Sequence, residues 1–154
     1  MARKEAITRM TTASTDIELR QANVDLVRRY FELWNVLDID TVETLLHLDV
    51  ELEVPYALPG TPDVFSGKRD VAEFLHAAPE RLGPLGFHAL EIATLEDPNE
   101  IVAEYRSDAE VRGTNKPYRN RYITRISVSD GQIRRFKEFG NPLVLMDAFD
   151  INPG

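Results

Sequence analysis

The stretch Gly131-Gln-Ile-Arg-Arg-Phe136-Lys-Glu138-Phe-Gly-Asn141-Pro142 contains a carboxylate whose neighbours suggest a chemical role. On a strand, side chains alternate between faces, so Phe136 and Glu138 share one face and Arg135, Lys137 and Phe139 the other. If Phe136 packs inward, Glu138 is aimed into an apolar cavity. Burial disfavours the charged carboxylate and raises its pKa toward neutrality, where a carboxyl both takes and gives protons. The other reading is a glutamate tied to one of the nearby arginines, and parity leaves both open. Pro117-Tyr118-Arg119-Asn120-Arg121-Tyr122 puts Tyr118, Asn120 and Tyr122 on one side, as hydroxyl and amide partners for a bound molecule. His88 shares parity with Leu90 and Ile92 and is the second catalytic candidate, although an inward histidine is more commonly a hydrogen-bonded core residue. Tyr56 at the end of the first strand, Trp34 at the end of the first helix, and inward-facing Phe74 and Phe136 complete the candidate substrate-binding set. Tyrosine and tryptophan in such places also serve simply as packing.

Other chemistries find little support. Glu73-x-x-His76 is half of a di-iron carboxylate pattern whose second copy is missing, and His47, His76 and His88 lack metal-ligand spacing. Gly60 and Gly67-Lys68-Arg69 are too far apart for a phosphate loop, and an arginine stands where magnesium would need Ser or Thr. No protein-built metal site is expected. With no cysteine there is no thiol nucleophile, disulfide or thiolate metal site.

These residues must be positioned by a small set of elements. Residues 1–17 are polar and unpatterned and are expected to form a flexible arm. Leu19, Ala22, Leu26, Tyr30, Leu33 and Trp34 recur at three- and four-residue steps, predicting a helix over 18–34. Asp40 with Glu43 suggests a capping box for a short second helix through Leu46. Val50, Leu52, Val54 and Tyr56 alternate with Glu51 and Glu53 as a half-buried strand, and a third helix is expected from Arg69 to Arg81. Strands follow over 87–95, 100–111, 117–129 and 131–139, the last two joined by an Asp130-Gly131 hairpin turn. The order α-α-β-α-β-β-β-β predicts one α+β domain over 18–150. Its twisted antiparallel or mixed sheet curls into a cone, with helices covering the concave face.

At 154 residues and a net charge of −8, the chain does not look like a general nucleic-acid binder. Acids crowd residues 38–53, whereas Arg106, Arg112, Arg119, Arg121 and Arg125 head a basic stripe between 106 and 137. That stripe reads as a solvated sheet face or a subunit interface. No apolar run approaches the roughly 18 residues of a membrane span, and a cytoplasmic location is expected.

The segments Val50-Glu-Leu-Glu-Val-Pro55-Tyr56, Phe65-Ser-Gly67-Lys68-Arg69, Tyr118-Arg-Asn-Arg-Tyr122 and Glu138-Phe-Gly-Asn141-Pro142 resemble the polyketide-cyclase (SnoaL-like) branch of the nuclear-transport-factor-2-like superfamily. Within it the chain is most similar to the phenazine-biosynthesis PhzA/PhzB proteins. The resemblance implies a cone-shaped barrel, usually a homodimer through its sheet, that binds a small hydrophobic molecule without a cofactor. It carries the family's acid/base glutamate onto Glu138. The histidine that follows an Ala-Glu pair in phenazine proteins is replaced here by Phe74, after Ala72-Glu73. The function so implied is proton transfer in natural-product biosynthesis: isomerisation, cyclisation, epoxide opening to a cyclic ether, or phenazine-like condensation. A non-catalytic binding module is the alternative, since one fold serves both.

Overall fold

The computed structural model describes residues 2–152. Helix α1 (Ala2–Asn35) begins well before Glu18, so the segment expected as an arm is helical from Ala2 onward. Its last turns bury Val27, Tyr30, Phe31, Leu33 and Trp34. Of the expected stripe Tyr30, Leu33 and Trp34 are buried and Leu26 partly so, whereas Leu19 and Ala22 are exposed because the sheet is covered only by the C-terminal half of the helix. Leu37, at φ 57, ends the helix. Helix α2 (Ile39–Thr44) is capped by Asp38, whose carboxylate accepts from Thr41 N at 3.2 Å and Thr41 Oγ1 at 2.7 Å. The cap is therefore two residues earlier than the expected Asp40–Glu43 box.

Strand β1 (Leu46–Glu53) starts and ends earlier than the alternation suggested. It pairs antiparallel with the short β2 (Val64–Ser66), which leads through Gly67 into α3 (Lys68–Arg81). Helix α3 buries Val71, Ala72 and Leu75. Then come β3 (His88–Thr94), β4 (Glu100–Arg106), β5 (Ala109–Glu110), β6 (Pro117–Tyr118), β7 (Arg121–Ser129) and β8 (Gln132–Gly140). Two expected long strands break in the middle: 100–111 at Ser107-Asp108, and 117–129 at Arg119-Asn120. The detached ends pair with each other as β5 and β6. Asn141 caps the closing helix α4 (Pro142–Ala148), its Oδ1 accepting from Leu143 N at 3.0 Å.

The main sheet runs β2-β1-β8-β7-β4-β3. It is an antiparallel meander extended by the parallel pair β1–β8, so the sheet is mixed, curved and open, and the architecture is α+β as expected. The β7–β8 turn places both Asp130 (φ 53) and Gly131 (φ 71) at positive φ, the geometry of a tight hairpin. One face of the sheet carries Ile101, Ala103, Tyr105, Tyr122, Thr124, Ile126, Ile133 and Phe136 into the core beneath α1 and α3. The other presents Arg121, Ile123 and Arg125 to solvent.

Candidate active site

Between the concave face and helices α1 and α3 lies a cavity of about 140 Å³. Leu52 and Val54 of the β1 edge, Phe74, Leu75 and Ala78 of α3, and Phe87 and Phe136 form its apolar wall. Its polar groups are Tyr30, Trp34, Tyr105, Tyr118, Tyr122 and Glu138. Phe87 is held by Asn35: the side-chain amide donates to Phe87 O at 2.9 Å and accepts from Phe87 N at 2.7 Å. Just before it, Gly86 sits at φ 57, and a Cβ there would stand 2.6 Å from Asp108 O, so the approach needs glycine.

Glu138, half-buried, lines this cavity, the first of the two readings that its parity with Phe136 left open. Tyr105 donates its hydroxyl proton to Glu138 Oε2 at 2.9 Å, and the Tyr105 oxygen lies 2.7 Å from Thr124 Oγ1. The register explains the arrangement: Thr124 is directly opposite Glu138, and Tyr105 is opposite Tyr122, two residues along the same face. Oε1 carries no protein donor among the described residues, which leaves it for a ligand. Burial pushes the Glu138 carboxyl above the ordinary glutamate range, and the Tyr105 hydrogen bond, which favours the charged form, pulls back against it. The phenols of Tyr30 and Tyr105 are pushed up by burial and then by the Glu138 charge. Burial also raises Tyr118 and Tyr122. All four therefore stay protonated and can donate.

A second hydroxyl group lies along β6 and β7. Tyr122 donates to the Tyr118 hydroxyl at 2.8 Å, and Ser107 Oγ is 3.1 Å from the Tyr122 hydroxyl. Asn120 does not line the cavity. It is buried behind these phenols, where its amide donates to Tyr118 Oη at 3.2 Å and to Asn141 O at 3.1 Å. Its Oδ1 accepts from the backbone of Arg121 and Asn141, so it ties the β6–β7 break to the start of α4. Gly140, beside it, leaves 3.1 Å between a would-be Cβ and the Tyr122 ring.

Two expected residues lie elsewhere. His88 is exposed on the outside, with Nδ1 3.0 Å from Gly86 O. A bulge with Ala89 at φ 53 inserts one residue between the pairs His88–Arg106 and Glu91–Glu104. Leu90 and Ile92 still point inward, but parity is broken before them and His88 turns out. Tyr56 lies beyond the end of β1, is 57% exposed, and packs edge-on against Phe139, 5.7 Å away on the outer face. Trp34, Tyr118, Tyr122 and Phe136 are buried and line the cavity; Phe74, expected to face inward, lines it too but is 39% exposed.

Sequence reasoning missed Tyr105, the direct partner of Glu138. The signal was present: Ile101, Ala103 and Tyr105 alternate with Glu100, Val102, Glu104 and Arg106. Tyr30 was read as part of the helix stripe and not as a cavity hydroxyl. Among the described residues no acidic or histidine cluster could hold a metal ion, and no helix is long and apolar enough to cross a membrane.

The arrangement is a mostly apolar pocket with one carboxyl and several neutral donors, and its lineage is visible in sequence. Residues 27–136 match the SnoaL-like domain. The chain belongs to that family. It is 30% identical over 125 residues to the Bacillus subtilis protein YesE, covering 81% of this chain and 85% of YesE. A proposed isomerase of known structure from Bacillus subtilis is 28% identical, with a TM-score of 0.80 over 86% of this chain and 95% of that one. The phenazine biosynthesis-related protein PhzB2 of Pseudomonas aeruginosa superposes with a TM-score of 0.79 over 92% and 93% of the two chains. At 22% identity, that likeness speaks to the fold alone.

Proposed function

We propose that this SnoaL-like protein is an acid/base enzyme of the isomerase or cyclase type, in which Glu138 moves a proton on a small, mostly apolar molecule held in the cavity. The observation that carries this reading is the Glu138 carboxyl in an apolar cavity, one oxygen held by Tyr105 and the other free. As carboxylate, Oε1 takes a proton from a carbon next to a carbonyl. The resulting acid returns it to a second carbon, or to an oxygen in ring closure or epoxide opening. A donor from Tyr30 or Tyr118 to the developing oxyanion lowers the barrier, since preorganised donors in a dry site are worth more than in water. The mechanism calls on no cofactor. Likeness to a phenazine biosynthesis-related fold supports natural-product biosynthesis as the setting. A second copy of the chain on the outer face of the sheet belongs to the same proposal.

The test is deuterium wash-in. In D₂O the wild-type chain should accelerate exchange beside the carbonyl of small cyclic ketones, followed by proton NMR, and Glu138→Gln should slow that exchange at least ~10²-fold while circular dichroism is unchanged. Equal exchange by Glu138→Gln would make the glutamate structural. No acceleration by the wild type on any ketone of this size would put the binding-module reading first.

A further inference from the structure

Thr124 is wholly buried on the inner face of β7, flanked on that face by Tyr122 and Ile126, where a valine would fill the same space. A hydroxyl in such a place has to be hydrogen-bonded, since an unmatched one costs stability. Its hydrogen bond among the described residues is the 2.7 Å contact between Oγ1 and Tyr105 Oη, and the ladder sets Thr124 directly opposite Glu138.

The direction of each hydrogen follows from counting. A phenol has one hydrogen, and Tyr105 donates it to Glu138 Oε2 at 2.9 Å. The Tyr105 oxygen is then the acceptor toward Thr124, so the chain runs from the Thr124 hydroxyl through Tyr105 to the carboxylate. Accepting from Thr124 makes Tyr105 a stronger donor, because linked hydrogen bonds polarise one another. The reverse direction fails at its far end. With the acid proton on Oε2, Tyr105 would have to turn its hydrogen to Thr124. The Thr124 hydrogen would then lose the acceptor that the described residues give it. The proton of the acid form therefore belongs on Oε1. No charge competes with this chain. The titratable groups facing Glu138 are the neutral phenols of Tyr30 on α1, Tyr105 on β4, Tyr118 on β6 and Tyr122 on β7, while α3 and β1 bring Phe74, Leu75 and Leu52.

We propose that Thr124 is a positioning residue of the proton-transfer site: its hydroxyl holds the Tyr105 hydrogen on Glu138 Oε2 and so keeps the transferable proton on Oε1. This rests on the reading of Glu138 as the proton carrier, and it gives the site a direction, with Oε2 the held oxygen and Oε1 the working one. Thr124 is not among the residues lining the cavity and acts through Tyr105 alone.

The test reads the Glu138 titration directly, without turnover. Protein carrying ¹³C at the glutamate side-chain carboxyl is titrated by carbon NMR, the Glu138 signal being the one missing from Glu138→Gln. Thr124→Val removes the hydroxyl and keeps the shape. The Glu138 midpoint should rise by roughly a few tenths of a unit, less than in Tyr105→Phe, because a weakened donor favours the charged form less. Thr124→Ser keeps the hydroxyl and should bring the midpoint back to the wild-type position. Added to Tyr105→Phe, Thr124→Val should give no further rise. The midpoint of the pH–exchange profile should move in parallel. An unchanged midpoint in Thr124→Val, no restoration by Thr124→Ser, or an equal rise in the Tyr105→Phe background would each overturn the proposal. So would a lowered midpoint, which would mean that Tyr105 had been donating to Thr124. If Thr124→Val does not fold, Thr124→Ala loses the same hydroxyl and is read in the same way. A flat titration with exchange still lost in Glu138→Gln removes the Thr124 assignment and leaves the proton-transfer reading intact. A raised midpoint with exchange retained in Glu138→Gln keeps the hydrogen-bond chain and removes the chemistry it was to serve.

Discussion

Glu53 and Glu138 lie almost side by side in the sheet, since Glu53 of β1 is paired with Lys137 of β8, and yet they face opposite media. On the outer face Glu53 lies 3.5 Å from Lys137, and Glu51 lies 3.5 Å from Arg135, both in reach of water. One residue further along β8 the chain turns Glu138 into the cavity, where its hydrogen-bond donor is a phenol and no cation is at hand. Exposed pairs of the first kind contribute little, typically up to ~1 kcal/mol, because water screens them. In the cavity, burial makes the carboxyl costlier to ionise, the condition that the proposed proton transfer needs. The same residue type thus meets a cation and water on one face and a phenol in a cavity on the other, where the proposed chemistry needs it. Neutral phenols rather than arginines line the inner face because they donate hydrogen bonds without a charge that would hold Glu138 ionised.

The contrast can be tested from both sides. The largest effect is expected inside. Tyr105→Phe removes the donor to Oε2, so the Glu138 pKa should rise further and the midpoint of the pH–exchange profile should move upward. The exchange rate at neutral pH should fall roughly tenfold, about the worth of one hydrogen bond to a charged group. A midpoint that stays in place or moves down would show that Tyr105 does not tune the carboxyl.

A smaller effect is expected on stability. Burial raises the Glu138 pKa in the folded chain above its unfolded value, so between the two the folded state holds the extra proton. Stability from this group therefore falls as pH rises from the unfolded glutamate value of ~4.3 through the raised folded one, and stays low above it. Glu138→Gln lacks this penalty. It should melt a few degrees above wild type at pH 8, roughly 2–4 °C for each 1 kcal/mol relieved in a domain of ~150 residues. Its advantage should shrink toward pH 4. A variant less stable than wild type at pH 8 would mean that the carboxylate is better solvated than its surroundings suggest.

The smallest effect on chemistry is expected from outside. Ile123, 47% exposed on β7, lies in a hollow of the outer face together with Phe139 and Arg121. Ile123→Glu should convert a dimer into a monomer by light scattering and leave the exchange rate within about twofold. A wild type that is already monomeric at micromolar concentration would break the dimer part of the proposal. A large loss of exchange would mean that the two faces are coupled.

Much of this arrangement was legible in the residues themselves. Along 122–128 every second residue is buried, as the pattern suggested, whereas in β8 one extra residue between Ile133 and Phe136 turns both of them inward; parity with Phe136 made the inward direction of Glu138 one of the two readings the sequence allowed. The helical stripe ending at Trp34 was equally plain. Parity failed wherever the ladder was interrupted. At Ala89 an inserted residue turned His88 outward. At Arg119-Asn120 the strand broke, and Asn120 became a buried brace instead of a cavity donor. At Pro55 the strand had already ended, so Tyr56 fell on the outer face. None of these local departures changes the composition or the average pattern around it.

What the sequence determined by itself, then, is the α+β order and which residues of a strand share a face, Phe136 with Glu138 among them, because each follows from short-range periodicity. Only the tertiary structure decided that the carboxyl of Glu138 faces the cavity and which hydroxyl meets it. Tyr105 reaches Glu138 across two strand pairings from 33 residues away, and Asn35 fixes Phe87 from 52 residues away. The space left beside Trp34 depends on how α1, α3 and the curved sheet settle against one another. Such contacts are set by packing between distant segments, and no periodicity within a single segment encodes them.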